Sequence, residues 1–203
     1  MANVNTPSGL VPVSYMDGNK WSGQGTQCYI ASNDSNAYAI GDPVTLVSGG
    51  ADAAGIPGIT LATAGTGNVV LGVIVGYAGQ TYGGAYVTPS QLDTAVIPAS
   101  KTRAYYPLVC TDPNVIYEIQ EAYTTSGAVL TVTSVGKNAN LKAGTNNGYV
   151  SGWVMDNTGT ATTSTLQLNI LRVSQRIDNS IGQYCKWLVR INNHQFNAGV
   201  AGV

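Results

Sequence analysis

The sequence predicts an all-β protein, a sandwich or barrel preceded by an extended N-terminal arm, on three observations. Short runs rich in Val, Ile, Tyr and Thr recur along the whole chain, separated by clusters of Gly, Asn, Asp, Ser and Pro that favour turns. Two C-terminal runs, Thr165 to Val173 and Lys186 to Asn192, alternate with the period of half-buried strands: Leu166, Leu168 and Ile170 mark the apolar phase of the first run, and Trp187, Val189 and Ile191 that of the second. No run has the amphipathic period and the length of about 11 residues of an ordinary helix.

Residues 1–14 carry Pro7 and Pro12, which hold backbone extended, and no charge. They read as an arm, either frayed or laid across a neighbouring subunit, whose removal should leave the core intact. Residues 15–203 read as one domain, the usual outcome for β folds of this size. Gln27 to Ile30 and Ala37 to Ile40 flank the turn-rich SNDSN and suggest a hairpin. Val44 to Val47 and Ile59 to Ala62 are short strands, the second set among Gly- and Ala-rich loops. Val69 to Tyr77 (VVLGVIVGY) is a near-continuous apolar run, the signature of a strand covered on both faces. Tyr82 and Tyr86 stand among glycines, as an exposed aromatic surface or as cover for a core edge. Lys101 to Cys110 and Val115 to Gln120 flank the turn Thr111-Asp112-Pro113-Asn114. Val129 to Val135 and Tyr149 to Met155 read as further strands, with Leu141 in a turn or a short helical turn between them.

Charged residues make up 9% of the chain and the formal net charge is −1, whereas about a quarter of an ordinary domain is charged. Such a surface suits coverage by neighbours better than solitary diffusion. The nine Lys and Arg form no basic run, which argues against direct nucleic-acid binding. No stretch reaches the roughly 18 apolar residues of a membrane helix, and the first ten residues lack a secretory signal's pattern. Cys28, Cys110 and Cys185 are odd in number and widely spaced, as buried free thiols are.

Catalytic chemistry finds little support. His194 is the single histidine, Glu118 and Glu121 are the only glutamates, and the acids are scattered, so neither a nucleophile-histidine pair nor a metal cluster is indicated. The glycines of GTGNVVLG lack the third glycine of a dinucleotide fingerprint and no helix follows them. No cofactor is expected.

Several segments together resemble a family: ANVNTPSGLVPV at the start, GDPV at 41–44, GVIVG at 72–76, DPNVIYEIQ at 112–120, and LNILRVSQRIDNSIG with WLVRINNHQ near the end. In this order they are similar to the decoration, or cement, proteins of tailed-bacteriophage heads. The chain departs from that pattern at Arg176-Ile177, where the family has arginine-proline, and at Asn193-His194, where it has glutamate-histidine. The resemblance implies a jelly-roll-like fold, a place on the exterior of the virion capsid, the major capsid protein as partner, self-association as a dimer or trimer across symmetry axes of the shell, no enzymatic activity, and no contact with membrane or nucleic acid. The expected contact residues are Val4, Pro7, Leu10, Val11 and Pro12 of the arm, and Arg176, Asp178 and Asn179 of the loop between the C-terminal strands. Twelve Tyr and three Trp on a β scaffold suggest an alternative, a carbohydrate-binding module displayed on the virion.

Overall fold

A computed structural model describes residues 3–77, 80–82, 85–87, 95–123, 129–197, 199 and 201–203, of which 80–82 and 85–87 as backbone only. In chain order the strands are β1 (Val11–Tyr15), β2 (Thr26–Gln27), β3 (Pro43–Leu46), β4 (Ile59–Leu61), β5 (Gly72–Tyr77), β6 (Gln80–Tyr82), β7 (Ala85–Val87), β8 (Pro107–Cys110), β9 (Val115–Gln120), β10 (Asn138–Ala139), β11 (Leu141–Lys142), β12 (Val154–Met155), β13 (Leu168–Val173) and β14 (Lys186–Ile191). Two five-stranded antiparallel sheets form the body, ordered β1-β9-β14-β13-β10 and β2-β8-β5-β3-β4, with β11-β12 and β6-β7 as small two-stranded pairs. The protein is an all-β sandwich.

Alternation decides what lies between the sheets. Val115, Tyr117 and Ile119 of β9, Leu168 and Ile170 of β13, and Trp187, Val189 and Ile191 of β14 all turn the same way and are buried, meeting Val73 of β5 and Cys110 of β8 from the other sheet. The Tyr117 hydroxyl spans the gap and donates to the Cys110 carbonyl oxygen at 3.4 Å. Neighbouring residues of the second sheet point the opposite way: Ile74 and Val109 enter a separate core with Cys28, Ile30, Tyr38, Val44, Ile59, Leu71, Ile97 and Tyr105. The second sheet is thus buried on both faces, as the unbroken run 69–77 leads one to expect.

The cover over that second core differs from the expected hairpin. Ile30 and Tyr38 do not pair with one another; Ile30 bridges Tyr105 and Tyr38 bridges Ile97. Between them the SNDSN turn is drawn around the fully buried Lys101 side chain, whose ammonium donates to the Asp34 backbone oxygen at 2.8 Å, to Asp34 Oδ1 at 3.1 Å and to the Asn36 backbone oxygen at 2.5 Å. One buried cation therefore organises three acceptors of a single loop, a demand that outweighs hairpin pairing.

Three further expectations are corrected. In place of a strand over Val129–Val135 the chain forms a 3-10 turn at Val132–Ser134, because hydroxyls compete with the ladder: the Thr131 amide donates to Ser134 Oγ at 3.3 Å and the Leu130 amide is taken by Glu121. Leu141 lies in β11 rather than a turn, held by its amide's bond to Gln167 Oε1 at 3.1 Å. Tyr149 to Met155 supplies strand only at β12, since Gly144 and Gly152 bring their backbones too close for a Cβ at either position. The side chains of Tyr82 and Tyr86 lie outside the described ones. Cys28, Cys110 and Cys185 are buried free thiols, as expected.

The largest revision concerns the arm. A boundary at residue 14 falls inside β1, which pairs with β9 through Val11↔Glu118 and Pro12↔Tyr117. Pro12 is tolerated there because β1 is an edge strand. Leu10 is fully buried in the core between the sheets, and its amide donates to the Gly41 carbonyl at 3.0 Å. Glycine is required on both sides of this crossing: Gly9 has φ +66° and Gly41 φ +95°, and a Cβ on Gly9 would sit 2.1 Å from the Gly41 oxygen. Residues 9–14 thus belong to this chain's own body, and Leu10 is withdrawn as an outward contact.

Two outcomes follow from this packing. Leu10→Ala should lower unfolding stability by about 2–5 kcal/mol, the range for deleting a buried leucine side chain, and deleting residues 2–12 should lower the melting temperature at least as much; unchanged melting in both would contradict the docked segment. The second concerns Glu121, which is fully buried, accepts from Trp187 Nε1 at 2.9 Å and from the Leu130 amide at 3.3 Å, and has its pKa raised to about 7 by burial. Because the fold favours the neutral acid, its stabilisation is complete below the ordinary value of 4.5 and is lost as pH rises through about 7. Melting temperature should fall over that window, and Glu121→Gln should flatten the fall.

Candidate functional site

Residues 174–185 connect β13 to β14, and the hairpin strands leave them in register, with Val173 opposite Trp187. A loop of this length would be loose without internal bonds, and Asn179 supplies them. Its Nδ2 donates to the backbone oxygens of Ser174 and Lys186, both at 2.8 Å, while its Oδ1 accepts from the Lys186 amide at 2.8 Å. The side chain closes the loop across its neck as one more rung of the ladder would.

A second bracket comes from the chain's beginning. Asn3 Nδ2 donates to the backbone oxygens of Ser180 at 2.7 Å and Gln183 at 2.8 Å, and Asn3 Oδ1 accepts from the Ser180 amide at 3.0 Å. Gln120, at the end of β9, holds the next residues: its Oε1 accepts from the Thr6 amide and its Nε2 donates to Asn5 Oδ1, both at 2.8 Å. The two stretches picked out in the sequence, the N-terminal residues and the 174–185 loop, therefore form one continuous face, bonded to each other.

The charges of this face are compensated within it. The Arg176 guanidinium grips Asp178 with both ends, Nε to Oδ1 and Nη2 to Oδ2, each at 2.9 Å, and reaches Glu118 Oε1 at 3.3 Å. Lys186 Nζ lies 4.0 Å from the same Glu118 oxygen, and Ser174 Oγ donates to the other carboxylate oxygen. The hydrogen bonds from Arg176 hold the Asp178 carboxyl below the ordinary carboxylate range, and raise the guanidinium's own pKa. Two cations thus stand against two carboxylates.

Apolar side chains rise around this neutral cluster. Ile177 at the loop tip is wholly exposed, Val4 is 70% exposed and Ile181 45%. Tyr184 is the one non-glycine with positive φ among the described residues, at +60°, and its ring meets that of Tyr123 edge-on at 5.3 Å. Backbone held in that region costs of order 1–3 kcal/mol and concentrates where a surface is shaped for use. Asn3, Val4, Thr6, Arg176, Asp178, Asn179, Tyr184 and Lys186 line a cleft of about 120 Å³ here.

Of the expected contact residues, Val4, Arg176, Asp178 and Asn179 thus come together, although Asn179 acts as a clamp with its amide engaged internally. Pro7 and Pro12 are half-buried, Val11 is 38% exposed on the edge strand, and Leu10 is in the core. Asn3, Glu118, Tyr184 and Lys186 were not anticipated. Asparagine at position 3 and glutamate in a strand give no distinguishing pattern, whereas Gly182 two residues before Tyr184 does signal a loop that turns sharply.

His194 is 3% exposed, with Nδ1 accepting from the Phe196 amide at 3.0 Å, and burial lowers its pKa. Glu118 and Glu121 belong respectively to the surface cluster and to the core. Among the described residues no three His, Cys, Asp or Glu side chains gather as metal ligands would. Trp153 and Trp187 are core residues and Trp21 is half-buried, so no tryptophan stands out as a sugar platform; Tyr149, 71% exposed, is the largest exposed aromatic described. No helix of the described residues is long and apolar enough to cross a membrane.

No family model, no curated protein and no solved structure matches the chain.

Asn179→Ala should remove three partly buried internal bonds, at a cost of about 1–3 kcal/mol. Hydrogen exchange should quicken at residues 174–186 while amides of β9 keep their protection; exchange unchanged in the loop would show that the clamp is dispensable.

Proposed function

We propose that this chain is a structural virion protein, a decoration or cement protein on the exterior of a tailed-phage head that bridges major capsid protein subunits. The observation that carries the reading is the rigid face formed by residues 3–6 and 174–186: neutral in sum, apolar at its tip, and bracketed from two sides before any partner arrives. Preorganisation of this kind spares a complex the entropy of ordering a loop. A chain with only 9% charged residues supports the same view, as does the resemblance quoted from the sequence. A jelly-roll relationship and self-association as a dimer or trimer belong to the same proposal.

Cementing needs no reaction. A protein that binds only the assembled shell stabilises it by mass action, and many copies on identical sites turn weak contacts into avidity. Separating two capsid subunits then also requires breaking their contacts with the bridge.

Heads assembled without this chain should lose resistance to heat and osmotic shock, and should regain it when the purified protein is added back. Equal resistance with and without the chain would refute the reading. Ile177→Asp should reduce occupancy on heads roughly tenfold, as losing about 1.4 kcal/mol of binding does, while the melting temperature of the free protein stays within a degree or two of wild type, because Ile177 touches no core.

A further inference from the structure

Asn147-Gly148 is the single Asn-Gly pair in the chain, and it sits at the tip of an exposed loop. The loop's legs are pinned: a Cβ on Gly144 would lie 2.0 Å from the Gly152 oxygen, so the two backbones touch. Beyond this neck residues 147–150 close a tight turn, with the Asn147 amide donating to the Val150 oxygen at 3.2 Å. The Asn147 side chain folds back over the turn, and its Oδ1 accepts two backbone N–H groups, from Tyr149 at 3.0 Å and from Val150 at 2.9 Å. Gly148, at φ +88°, has open space where a side chain would be, and its N–H points to Asn146 Oδ1 at 3.1 Å.

Two features of this turn favour acyl transfer at the Asn147 carboxamide: the two donors on its oxygen and the glycine that follows it. A carboxamide carbon is electrophilic in proportion to how well charge on its oxygen is stabilised, and two N–H donors on that oxygen act as an oxyanion hole does. The adjoining Gly148 nitrogen, whose attack on that carbon closes a five-membered ring, belongs to an exposed residue with no side chain to crowd it, and its N–H is held by Asn146 Oδ1.

We propose that Asn147 is a self-modification site, deamidated through attack by the Gly148 nitrogen. The Gly148 N to Asn147 Cγ bond forms, the Cγ to Nδ2 bond breaks, and the amide proton of Gly148 leaves with Nδ2 as ammonia, giving a succinimide. One water then opens the ring. Addition at Cγ yields aspartate, and addition at the backbone carbonyl carbon yields isoaspartate. No oxidation or reduction occurs. The product carries one more negative charge and moves the formal net charge from −1 to −2. On a chain this sparsely charged, that step creates a distinct charge form, and the isoaspartate lengthens the backbone of the turn beside the exposed Tyr149.

Other candidate positions are less suited. Asn179 is followed by Ser180, whose side chain crowds the attacking nitrogen, and has its Nδ2 as well as its Oδ1 engaged, and at Asp17-Gly18 the electrophile is a carboxylate, which resists attack. The test is to age the purified full-length protein in mildly alkaline buffer, native and in urea, and to follow the tryptic peptide 143–172 by fragmentation mass spectrometry. The expected result is replacement of NH2 by OH at Asn147, with both aspartate and isoaspartate formed, at a native rate equal to or above that in urea. Conversion at Asn147 confined to urea, conversion at Asn146 or Asn157 instead, or none at all would overturn the proposal. Gly148→Ala, which crowds the nucleophile, should slow conversion at least severalfold. Because that variant strains the turn, Asn147→Asp provides a second check: its 143–172 peptide should show no further conversion of the native kind. An equal rate in Gly148→Ala, or further replacement of NH2 by OH in the Asn147→Asp peptide, would likewise refute attack through Gly148.

Discussion

The structure depends on one sheet being dry on both sides. Val73 of β5 and Cys110 of β8 face the core between the sheets, while their neighbours Ile74 and Val109 face the second core. A strand that is apolar in both phases carries no register information in its hydrophobicity, because a one-residue slip would still bury hydrocarbon on each side. Register has to come from shape. Gly72 provides it: a Cβ there would stand 2.0 Å from the Cys110 oxygen, so only glycine fits that point of β5, and the pairing of Val73 with Cys110 is set by it. The irregularity between Ile74 and Gly76 then reorients the end of the strand.

From this sheet the rest of the architecture is assembled outward. The sheet holding β9, β13 and β14 packs on one face, with Tyr117 reaching across; the loops at 28–40 and 97–105 pack on the other, tied by the Lys101 ammonium. Leu10 enters the first core from the N-terminal side, so residues 3–8 emerge next to the β13-β14 loop. The candidate face is therefore a product of the core. Asn3 can reach Ser180 because Leu10 is anchored, and the 174–185 loop can present Ile177 because Asn179 has already closed its neck.

Much of this was legible in the sequence where a period decides the outcome. β9, β13 and β14 follow from strict alternation, and the two-sided burial of β5 follows from its lack of alternation. Legibility ended where side chains compete with backbone for hydrogen bonds. Thr131 and Ser134 turn an apolar β-branched run into a 3-10 turn, Lys101 prevents a hairpin at SNDSN, and Gln167 draws Leu141 into a strand through its amide. Such outcomes depend on partners distant in sequence. Leu10 was misread for a related reason: between Pro7 and Pro12, a single leucine has no periodic neighbours to reveal that it is buried. At the candidate face, Arg176, Asp178 and Asn179 announced themselves as a polar loop, whereas Asn3 and Lys186 acquire meaning only through the groups they meet.

Gln167 has a wider consequence. Its Oε1 accepts from the amides of Gly65 and Leu141 and its Nε2 donates to the Thr63 oxygen, while Asn138, Asn169, Asn179 and Asn192 make similar ties elsewhere. Carboxamides neither titrate nor attract counterions. Joints made from them hold equally in dilute buffer and in brine, and across the range in which carboxylates and imidazoles change charge. What a carboxamide does undergo is slow hydrolysis, and the fold buries Gln167, Asn138 and Asn192 while leaving Asn147 exposed at a loop tip. Durability in this molecule is thus distributed unevenly, with its slow chemistry displaced to a position where the change alters the surface and spares the frame.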